Sequence, residues 1–269
     1  MPTDKASVKH YYDEVALKKL SSFLKPNPRV ESAWATLLAS VGNPRRILEV
    51  GCGVGDISFR LSKHFQNANI TGLDISPLSI EIANKLFGGD KVNFVVGEIN
   101  AVSEKGYDLV VMMDVFEHIH KNDRKDFVQS LKECIVNEAF VFGSCPTPEF
   151  LAWLKIHSPQ HIQPVDEEIT LDVIADLARV IGLRIITYKT VSIWFSGDYF
   201  HFVLGPKHSI DPVPTSSITP KISWKERVMK LLCRSKKNTS IDVVSMEEKL
   251  AFIRSRMGEE FTRELQKIL

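Results

Sequence analysis

Short apolar runs alternate with amphipathic segments along the chain from residue 46 onward. Aliphatic and β-branched runs predict buried strands, and apolar residues at helical spacing predict helices between them. The predicted strands are RILEV (46–50), NITGLD (69–74), VNFVV (92–96), YDLVVMM (107–113), AFVFG (139–143), LRIITYKTV (183–191) and YFHFVLG (199–205). The predicted helices cover 55–65, 77–87, 124–136 and 170–181. Apolar strands separated by helices indicate an α/β fold with a parallel sheet covered on both faces.

The last two predicted strands are connected differently from the others. Only a few residues around Ser196, Gly197 and Asp198 separate them, which is too short for a helical crossover. The two strands are therefore expected to run antiparallel. The predicted architecture is a Rossmann-like sheet, mostly parallel, with an antiparallel final hairpin and helices on both faces.

The segments on either side of this sheet differ from it in composition. The first 41 residues are helical in pattern and are interrupted at Pro26 and Pro28. After Gly205 the chain is rich in Pro, Ser and Thr, and two further helical segments follow. We expect four parts, namely an N-terminal helical cap (1–41), the sheet domain that carries the chemistry (42–205), a Pro-rich linker (206–222) and a C-terminal helical appendage (223–269).

Composition narrows the classes of protein. The 269 residues include 34 Lys and Arg against 33 Asp and Glu, a net charge of +1, so there is no overall attraction for nucleic acid. The polar N-terminus lacks the apolar stretch of a secretory signal, and the apolar runs are too short to span a bilayer. Four scattered cysteines favour a reducing compartment, so we expect a cytoplasmic protein.

A glycine-rich loop follows the first predicted strand. Gly51, Gly53 and Gly55 can adopt positive φ and let the backbone approach a ligand, although an ordinary tight turn is the alternative. A dinucleotide loop of the G-x-G-x-x-G type needs its third glycine at position 56, where this chain has Asp56. Asp56 and the strand residue Glu49 would repel a diphosphate but tolerate a cation. S-adenosylmethionine, which carries a sulfonium and an ammonium group and no phosphate, therefore fits better.

Acidic residues also stand at the ends of the next two strands. Asp74 ends the second strand and can accept hydrogen bonds from both hydroxyls of a ribose. Ile75 can pack on an adenine face, and Glu98, after the third strand, can accept a hydrogen bond from the adenine amino group. Together with Glu49 at the end of the first strand, these residues predict an adenosine-containing ligand at the carboxyl edge of the sheet.

On these residues, the chain from about 40 to 205 resembles the class I S-adenosylmethionine-dependent methyltransferases. The matching motifs are LEVGCGVG (48–55), GLDIS (72–76) and YDLVVMMDVFEHI (107–119). The resemblance implies a seven-stranded sheet, with the three loop glycines around the methionine portion of the cofactor. It also implies that Asp74 binds the ribose and that Glu98 and Ile99 face the adenine. The candidate cofactor-binding set is completed by Cys52, Met113 and Asp114.

The stretch DVFEHI (114–119) has a second interpretation. If the chain turns helically there, Asp114, Glu117 and His118 share one face, and His161 could complete a divalent-metal site. The stretch resembles the acidic-x-x-Glu-His motif of the ubiquinone-biosynthesis O-methyltransferases and of the small-RNA terminal 2′-O-methyltransferases, which implies metal binding. This chain has Asp114 where those groups usually have glutamate. Mixed carboxylate and imidazole ligands would suit Mn, Fe or Zn better than Mg. In the alternative interpretation, Glu-His caps the next helix and lines the cofactor pocket.

Several residues are candidates for the transfer step itself. His118, His120 and His161 could act as a general base, with Glu117 or Asp114 as the orienting group. We expect a small-molecule acceptor, methylated at a hydroxyl of a metabolite, sugar or lipid precursor. One alternative function is methylation of RNA termini, but the sheet domain shows no evident basic stripe, which argues against it. Another is a non-catalytic regulator that binds the cofactor.

The acceptor side and the C-terminal part give weaker signals. Trp153, Trp194 and Phe195 could line the acceptor pocket, and Tyr11 and Tyr12 could fold over the cofactor. The segment 223–237 predicts a basic amphipathic helix that could contact an anionic membrane, a partner helix or nucleic-acid phosphates. A solvated charged face is the alternative. No pattern in the sequence identifies the oligomeric state.

Overall fold

A computed structural model describes residues 5–207 and 245–268. Its seven strands are β1 (Arg46–Val50), β2 (Asn69–Asp74), β3 (Val92–Val96), β4 (Tyr107–Met113), β5 (Ile135–Pro146), β6 (Arg184–Val191) and β7 (Tyr199–Gly205). Its α-helices are α1 (Lys5–Leu24), α2 (Pro28–Ser40), α3 (Asp56–His64), α4 (Pro77–Phe87), α5 (Arg124–Cys134), α6 (Pro148–His157), α7 (Leu171–Ile181), α8 (Met246–Met257) and α9 (Glu259–Ile268). Within these residues, no helix is both long and apolar enough to cross a membrane.

The strands form one sheet in the order β3-β2-β1-β4-β5-β7-β6. The first five strands pair in parallel, whereas β7 is antiparallel to both β5 and β6. The predicted α/β class, the seven strands and the antiparallel final hairpin are thus confirmed. Because strand order reverses beside β1, the carboxyl ends of β1, β2 and β4 border the crevice where ligands bind in open α/β sheets.

Two elements differ from the expectation. Strand β5 begins at Ile135, immediately after α5, whereas the sequence predicted a helix to 136 and a strand over 139–143. Helix α6 was not predicted, because its apolar residues do not define one face and Leu151 is its only buried residue. Local capping signals mark its start, since the Thr147 side chain accepts from the Phe150 N–H and Pro148 occupies the first turn.

The terminal helices pack on the sheet domain rather than standing apart. Ile253 of α8 and Leu265 of α9 are fully buried in the same core as α1 and α3. Phe252 stacks on Phe59 and Phe87, with ring centroids 6.1 and 6.0 Å away. Residues 246–268 therefore contribute to the core beneath α1. The predicted basic helix at 223–237, and all of the linker beyond residue 207, lie outside the described residues.

Candidate cofactor and active site

The glycine loop connects β1 to α3 in a left-handed backbone conformation. Gly51, Gly53 and Gly55 have φ values of 71°, 53° and 86°. The N–H groups of Gly51 and Cys52 donate to the Leu73 carbonyl at 2.7 and 2.9 Å, which attaches the loop to β2. These φ values are costly for residues with a Cβ atom, so the conformation accounts for glycine at alternate positions.

Asp74 connects this loop to the next helix. Its Oδ2 accepts from the Gly53 N–H at 2.8 Å, and its Oδ1 accepts from the Ser76 N–H at 2.9 Å. The residue is 6% exposed. A carboxylate has about four lone-pair sites, so Asp74 can hold the loop and still accept from a ribose hydroxyl.

The carboxyl groups of Glu49 and Asp56 lie beneath the loop. Burial raises the pKa of Glu49 well above its ordinary value, against the opposing hydrogen bond from Ser58. Burial also raises the pKa of Asp56 to about 6, although backbone hydrogen bonds oppose this. An anionic diphosphate would raise these values further, whereas a cation would lower them.

The residues expected beside an adenine lie after β2 and β3. Ile75 is half-buried, Glu98 is exposed, and Ile99 packs in the core with Leu73. The Gly97 N–H donates to the Asp74 carbonyl at 2.9 Å, which positions the turn containing Glu98 next to the end of β2.

Helix α1 lies across this region. Asp13 accepts from the Ser76 hydroxyl at 2.5 Å and from the Leu78 N–H at 3.3 Å, at the start of α4. The Lys19 ammonium lies 4.6 Å from the ring centroid of Tyr12, and the Lys19 side chain passes next to Gly53. The sequence analysis singled out Tyr12 but missed Asp13 and Lys19, because no local motif marks them.

The DVFEHI stretch does not form the helical face considered above. Asp114 has φ 55°, the only positive value among the non-glycine residues described. A single 3₁₀ turn over Phe116–His118 follows, in place of an α-helix. The chain therefore leaves β4 through a left-handed residue and a 3₁₀ turn, and the i, i+3, i+4 spacing on which the expectation rested does not apply.

Asp114 is paired with a residue from α2. Its Oδ2 lies 2.5 Å from Nη1 of Arg29, and its Oδ1 accepts from the Ser144 hydroxyl at 2.8 Å. Nη1 of Arg29 also donates to the Tyr199 hydroxyl at 3.3 Å. Burial disfavours the guanidinium charge, but Asp114, Tyr199 and Glu117 together outweigh burial and raise the pKa of Arg29. Arg29 was not predicted from the sequence, because this residue lies far from Asp114 along the chain and belongs to no motif.

Glu117 and His118 lie side by side beneath Tyr12. Glu117 is 1% exposed, and burial raises its pKa. His118 Nδ1 lies 2.7 Å from the Val165 carbonyl and 3.1 Å from Asp166 Oδ1. Burial opposes the charge of His118, but Glu117 and Asp166 together raise its pKa to about 9.

Gln163 bridges His118 and α1. Its side-chain nitrogen lies 2.9 Å from His118 Nε2, and its Oε1 accepts from the Tyr12 hydroxyl at 3.0 Å. If the amide donates to Nε2, then Nε2 is unprotonated and Nδ1 donates to the Val165 carbonyl. This arrangement leaves Nε2 as the ring atom that can take a proton.

The four candidate metal ligands are not gathered. Asp114 is bound to Arg29, His118 is bound at both ring nitrogens, and His161 is exposed on a 3₁₀ turn. Across residues 5–207 and 245–268, no three His, Cys, Asp or Glu side chains lie close enough together to hold a metal ion. The residues as arranged do not fit the metal considered from the sequence.

An aromatic cluster extends outward from Tyr199. Phe150 lies 6.0 Å from Tyr199, 6.0 Å from Trp153 and 5.5 Å from Phe195 between ring centroids. Trp194, which also contacts Tyr199, and Phe195 are about half exposed. Their turn is held by the buried Asp198, whose carboxylate accepts from the backbone N–H groups of residues 193, 194 and 195. The three aromatic residues singled out from sequence thus line a surface that reaches Arg29 and Asp114 through Tyr199.

The strand order, the left-handed glycine loop and the acidic end of β2 define the fold of the class I S-adenosylmethionine-dependent methyltransferases. Consistent with this, residues 47–138 match the family described as "Methyltransferase domain". Magnesium protoporphyrin IX methyltransferase from Synechocystis PCC 6803, with S-adenosylhomocysteine bound, has a similar fold (TM-score 0.60, 19% identity, 76% of this chain and 100% of that chain covered). An N-methyltransferase from Bradyrhizobium japonicum, also with S-adenosylhomocysteine, gives a TM-score of 0.54 at 15% identity over 72% of this chain and 99% of that chain.

Sequence relatives match over shorter stretches. The ubiquinone biosynthesis O-methyltransferase of Cronobacter sakazakii is 31% identical over 115 residues, which is 41% of this chain and 46% of that protein. The malonyl-[acyl-carrier protein] O-methyltransferase of Priestia megaterium is 40% identical over 72 residues, which is 26% of each chain. The chain thus spans less than half the length of these curated relatives.

Proposed function

We propose that this protein is an S-adenosylmethionine-dependent methyltransferase that transfers the methyl group to a hydroxyl oxygen of a small molecule. The observation that carries the proposal is the loop of left-handed glycines bonded through Gly53 to the carboxylate of Asp74. The buried Glu49 and the partly buried Asp56 support a cationic cofactor. The three described cysteines are free, which fits the cytoplasmic location that we also propose.

The proposed reaction is an in-line displacement at the methyl carbon. The acceptor oxygen forms a bond to that carbon as the bond to the sulfonium breaks, and S-adenosylhomocysteine leaves as a neutral thioether. Positioning contributes most of the rate in such a step, roughly 7–11 kcal/mol of the barrier. In our proposal, Gly53 and Asp74 hold the cofactor, Gly55 lets the loop pack against Phe94, and helix α1 covers the cofactor through Asp13 and Lys19.

His118 is the proposed general base. It takes the hydroxyl proton at Nε2, while Nδ1 is held by the Val165 carbonyl and the Asp166 carboxylate. The acceptor hydroxyl replaces the Gln163 amide at Nε2. The base must be neutral to act, and the nearby sulfonium charge lowers the raised pKa of the imidazole when the cofactor is bound.

The acceptor is proposed to be a small molecule with an apolar portion. The two relatives whose names specify O-methylation support oxygen as the methylated atom. The aromatic cluster of Phe150, Trp153 and Phe195 supports an apolar portion, because it lies next to Tyr199 beside Asp114.

Calorimetric titration with S-adenosylhomocysteine tests the cofactor, after any carried-over ligand has been removed. We expect one-to-one binding that Asp74→Ala weakens by about 10- to 100-fold, since a charge-assisted hydrogen bond contributes about 1.5–3 kcal/mol. Asp108→Ala is the matched control, because Asp108 accepts from the N–H groups of Arg45 and Arg46 at the opposite edge of the sheet. Binding that is absent, or equally weakened in both variants, would reject the proposal.

A further inference from the structure

The carboxylate of Asp114 has hydrogen-bonding and ion-pair partners within the protein for both of its oxygens. Both of its oxygens are bonded, one to Arg29 at 2.5 Å and one to Ser144 at 2.8 Å. The Asp114 side chain is 11% exposed and the Arg29 side chain 32%, so the carboxylate is largely shielded from water while the guanidinium is partly solvated. Arg29 reaches it from the first turn of α2, which begins with Pro28 and is capped by the Asn27 side chain accepting from the Arg29 N–H.

Two further groups bring Arg29 into the same site. The Tyr199 hydroxyl accepts from the guanidinium at 3.3 Å, and the Tyr199 ring centroid lies 5.7 Å from the guanidinium carbon. Glu117 also favours the charged form of Arg29. The guanidinium therefore pairs directly with Asp114, and Glu117 favours its charge from nearby; both acids belong to DVFEHI and would otherwise attract a divalent cation.

We propose that Arg29 is the resident cation of this site and takes the place that a divalent metal ion would occupy beside Asp114 and Glu117. Arg29 is a positioning residue. It holds Asp114 in its positive-φ conformation at the end of β4 and removes the carboxylate oxygens from metal coordination. The protein then binds no divalent ion at DVFEHI, and the carboxylates become available to one when the guanidinium is removed.

The test titrates Mn²⁺ into chelator-treated, full-length protein and measures free Mn²⁺ by electron paramagnetic resonance. Wild type is expected to bind no Mn²⁺ at Asp114, so the Asp114→Asn substitution should leave the Mn²⁺ titration unchanged. Arg29→Met, which keeps the chain length and loses the charge, is expected to bind Mn²⁺ at least tenfold more tightly than wild type. That gain should disappear in the double variant Arg29→Met/Asp114→Asn, and Arg29→Lys should behave as wild type.

Arg60→Met is the matched control for removal of a partly buried, ion-paired arginine. Arg60 forms a two-pronged ion pair with Glu31 at 2.7 Å for each contact, away from DVFEHI, so its loss should not create Mn²⁺ affinity. Titration with S-adenosylhomocysteine on the same samples tests the proposed function separately, because the inference about Arg29 does not require cofactor binding.

Two results would overturn the inference. One is wild-type protein that binds Mn²⁺ one-to-one at micromolar concentration and loses that binding in Asp114→Asn. The other is a folded Arg29→Met protein with no gain in Mn²⁺ affinity. If Arg29→Met does not fold, the comparison of wild type with Asp114→Asn still decides, since only a metal-binding wild type would show a difference.

Discussion

Two glycines of the β1–α3 loop should respond differently to the same substitution. Gly53 and Gly55 both have positive φ, at 53° and 86°. A Cβ atom on Gly55 would lie 2.7 Å from Cζ of Phe94 and 3.0 Å from Cβ of Ala83, both in the core. A Cβ atom on Gly53 would meet only Lys19, at 3.5 Å from its Cδ. Alanine at the two positions therefore separates packing from cofactor binding.

The expected free energies follow from these contacts. A left-handed conformation costs a residue with a Cβ atom about 1–2 kcal/mol. At Gly55 the clash with Phe94 and Ala83 adds about 1–3 kcal/mol, because neither neighbour is a flexible chain end. Gly55→Ala should thus lower the free energy of unfolding by roughly 2–5 kcal/mol, or the melting temperature by roughly 5–15 °C. Gly53→Ala should cost only about 1–2 kcal/mol.

Thermal unfolding and titration with S-adenosylhomocysteine measure the two effects. Well below its melting temperature, Gly55→Ala should bind within about threefold of wild type, whereas Gly53→Ala should lose at least about tenfold in affinity, or about 1.4 kcal/mol. Equal destabilisation by both variants would refute the packing argument. Wild-type affinity in Gly53→Ala would refute the assignment of Gly53 to the cofactor.

Three further predictions concern individual side chains. Burial lowers the pKa of His201 to about 4 from 6.5, so the unfolded state takes up its proton first as the pH falls from about 6.5 to 4. Measured by urea unfolding, the free energy of unfolding of wild type should fall by about 1–3 kcal/mol more than that of His201→Gln over that pH interval. Parallel plots of unfolding free energy against pH for the two proteins would contradict this. Asp198→Ala removes the acceptor of three backbone N–H groups and should cost about 2–4 kcal/mol, against less than about 0.5 for the exposed Asp176→Ala; equal melting temperatures would contradict this. If His118 is the base, kcat should rise with pH until the imidazole is neutral, and His118→Ala should lose about 10²–10⁴-fold and that pH dependence; a flat wild-type profile would exclude the role.

The sheet could be predicted from the sequence because its central strands β1, β4 and β7 are almost entirely buried. Strands β1 to β4 and β7 begin and end where the apolar runs do, since polar or turn residues bound them closely. The antiparallel hairpin could be predicted from the shortness of the connection between the last two strands. Helix α6 could not be predicted, because a helix that buries one residue leaves no periodic pattern of apolar positions in the sequence.

The loop of the candidate site could be predicted, but the partners of its side chains could not. The glycine loop and the acidic strand ends are local features, so their spacing is visible in the sequence. The bond from Tyr12 to Gln163 joins residues 151 positions apart, and the pair of Arg29 and Asp114 joins α2 to the end of β4. Such contacts depend on tertiary packing and leave no local pattern. In DVFEHI, the side chains bind these distant partners and do not share the helical face that their spacing suggested.

The charges at the carboxyl edge of the sheet are balanced on one side and unbalanced on the other. Beside β4, the carboxylate of Asp114 is neutralised by Arg29, and Glu117 lies next to the imidazole of His118. Around the glycine loop, Glu49 and Asp74 form no ion pair with any described residue, and burial raises the pKa of Glu49. Buried carboxylates are stabilised by an opposite charge, so the side beside the loop gains most from a cationic ligand. The side beside β4 needs no added cation, which is why we assign the charged cofactor to the loop and expect no metal at DVFEHI.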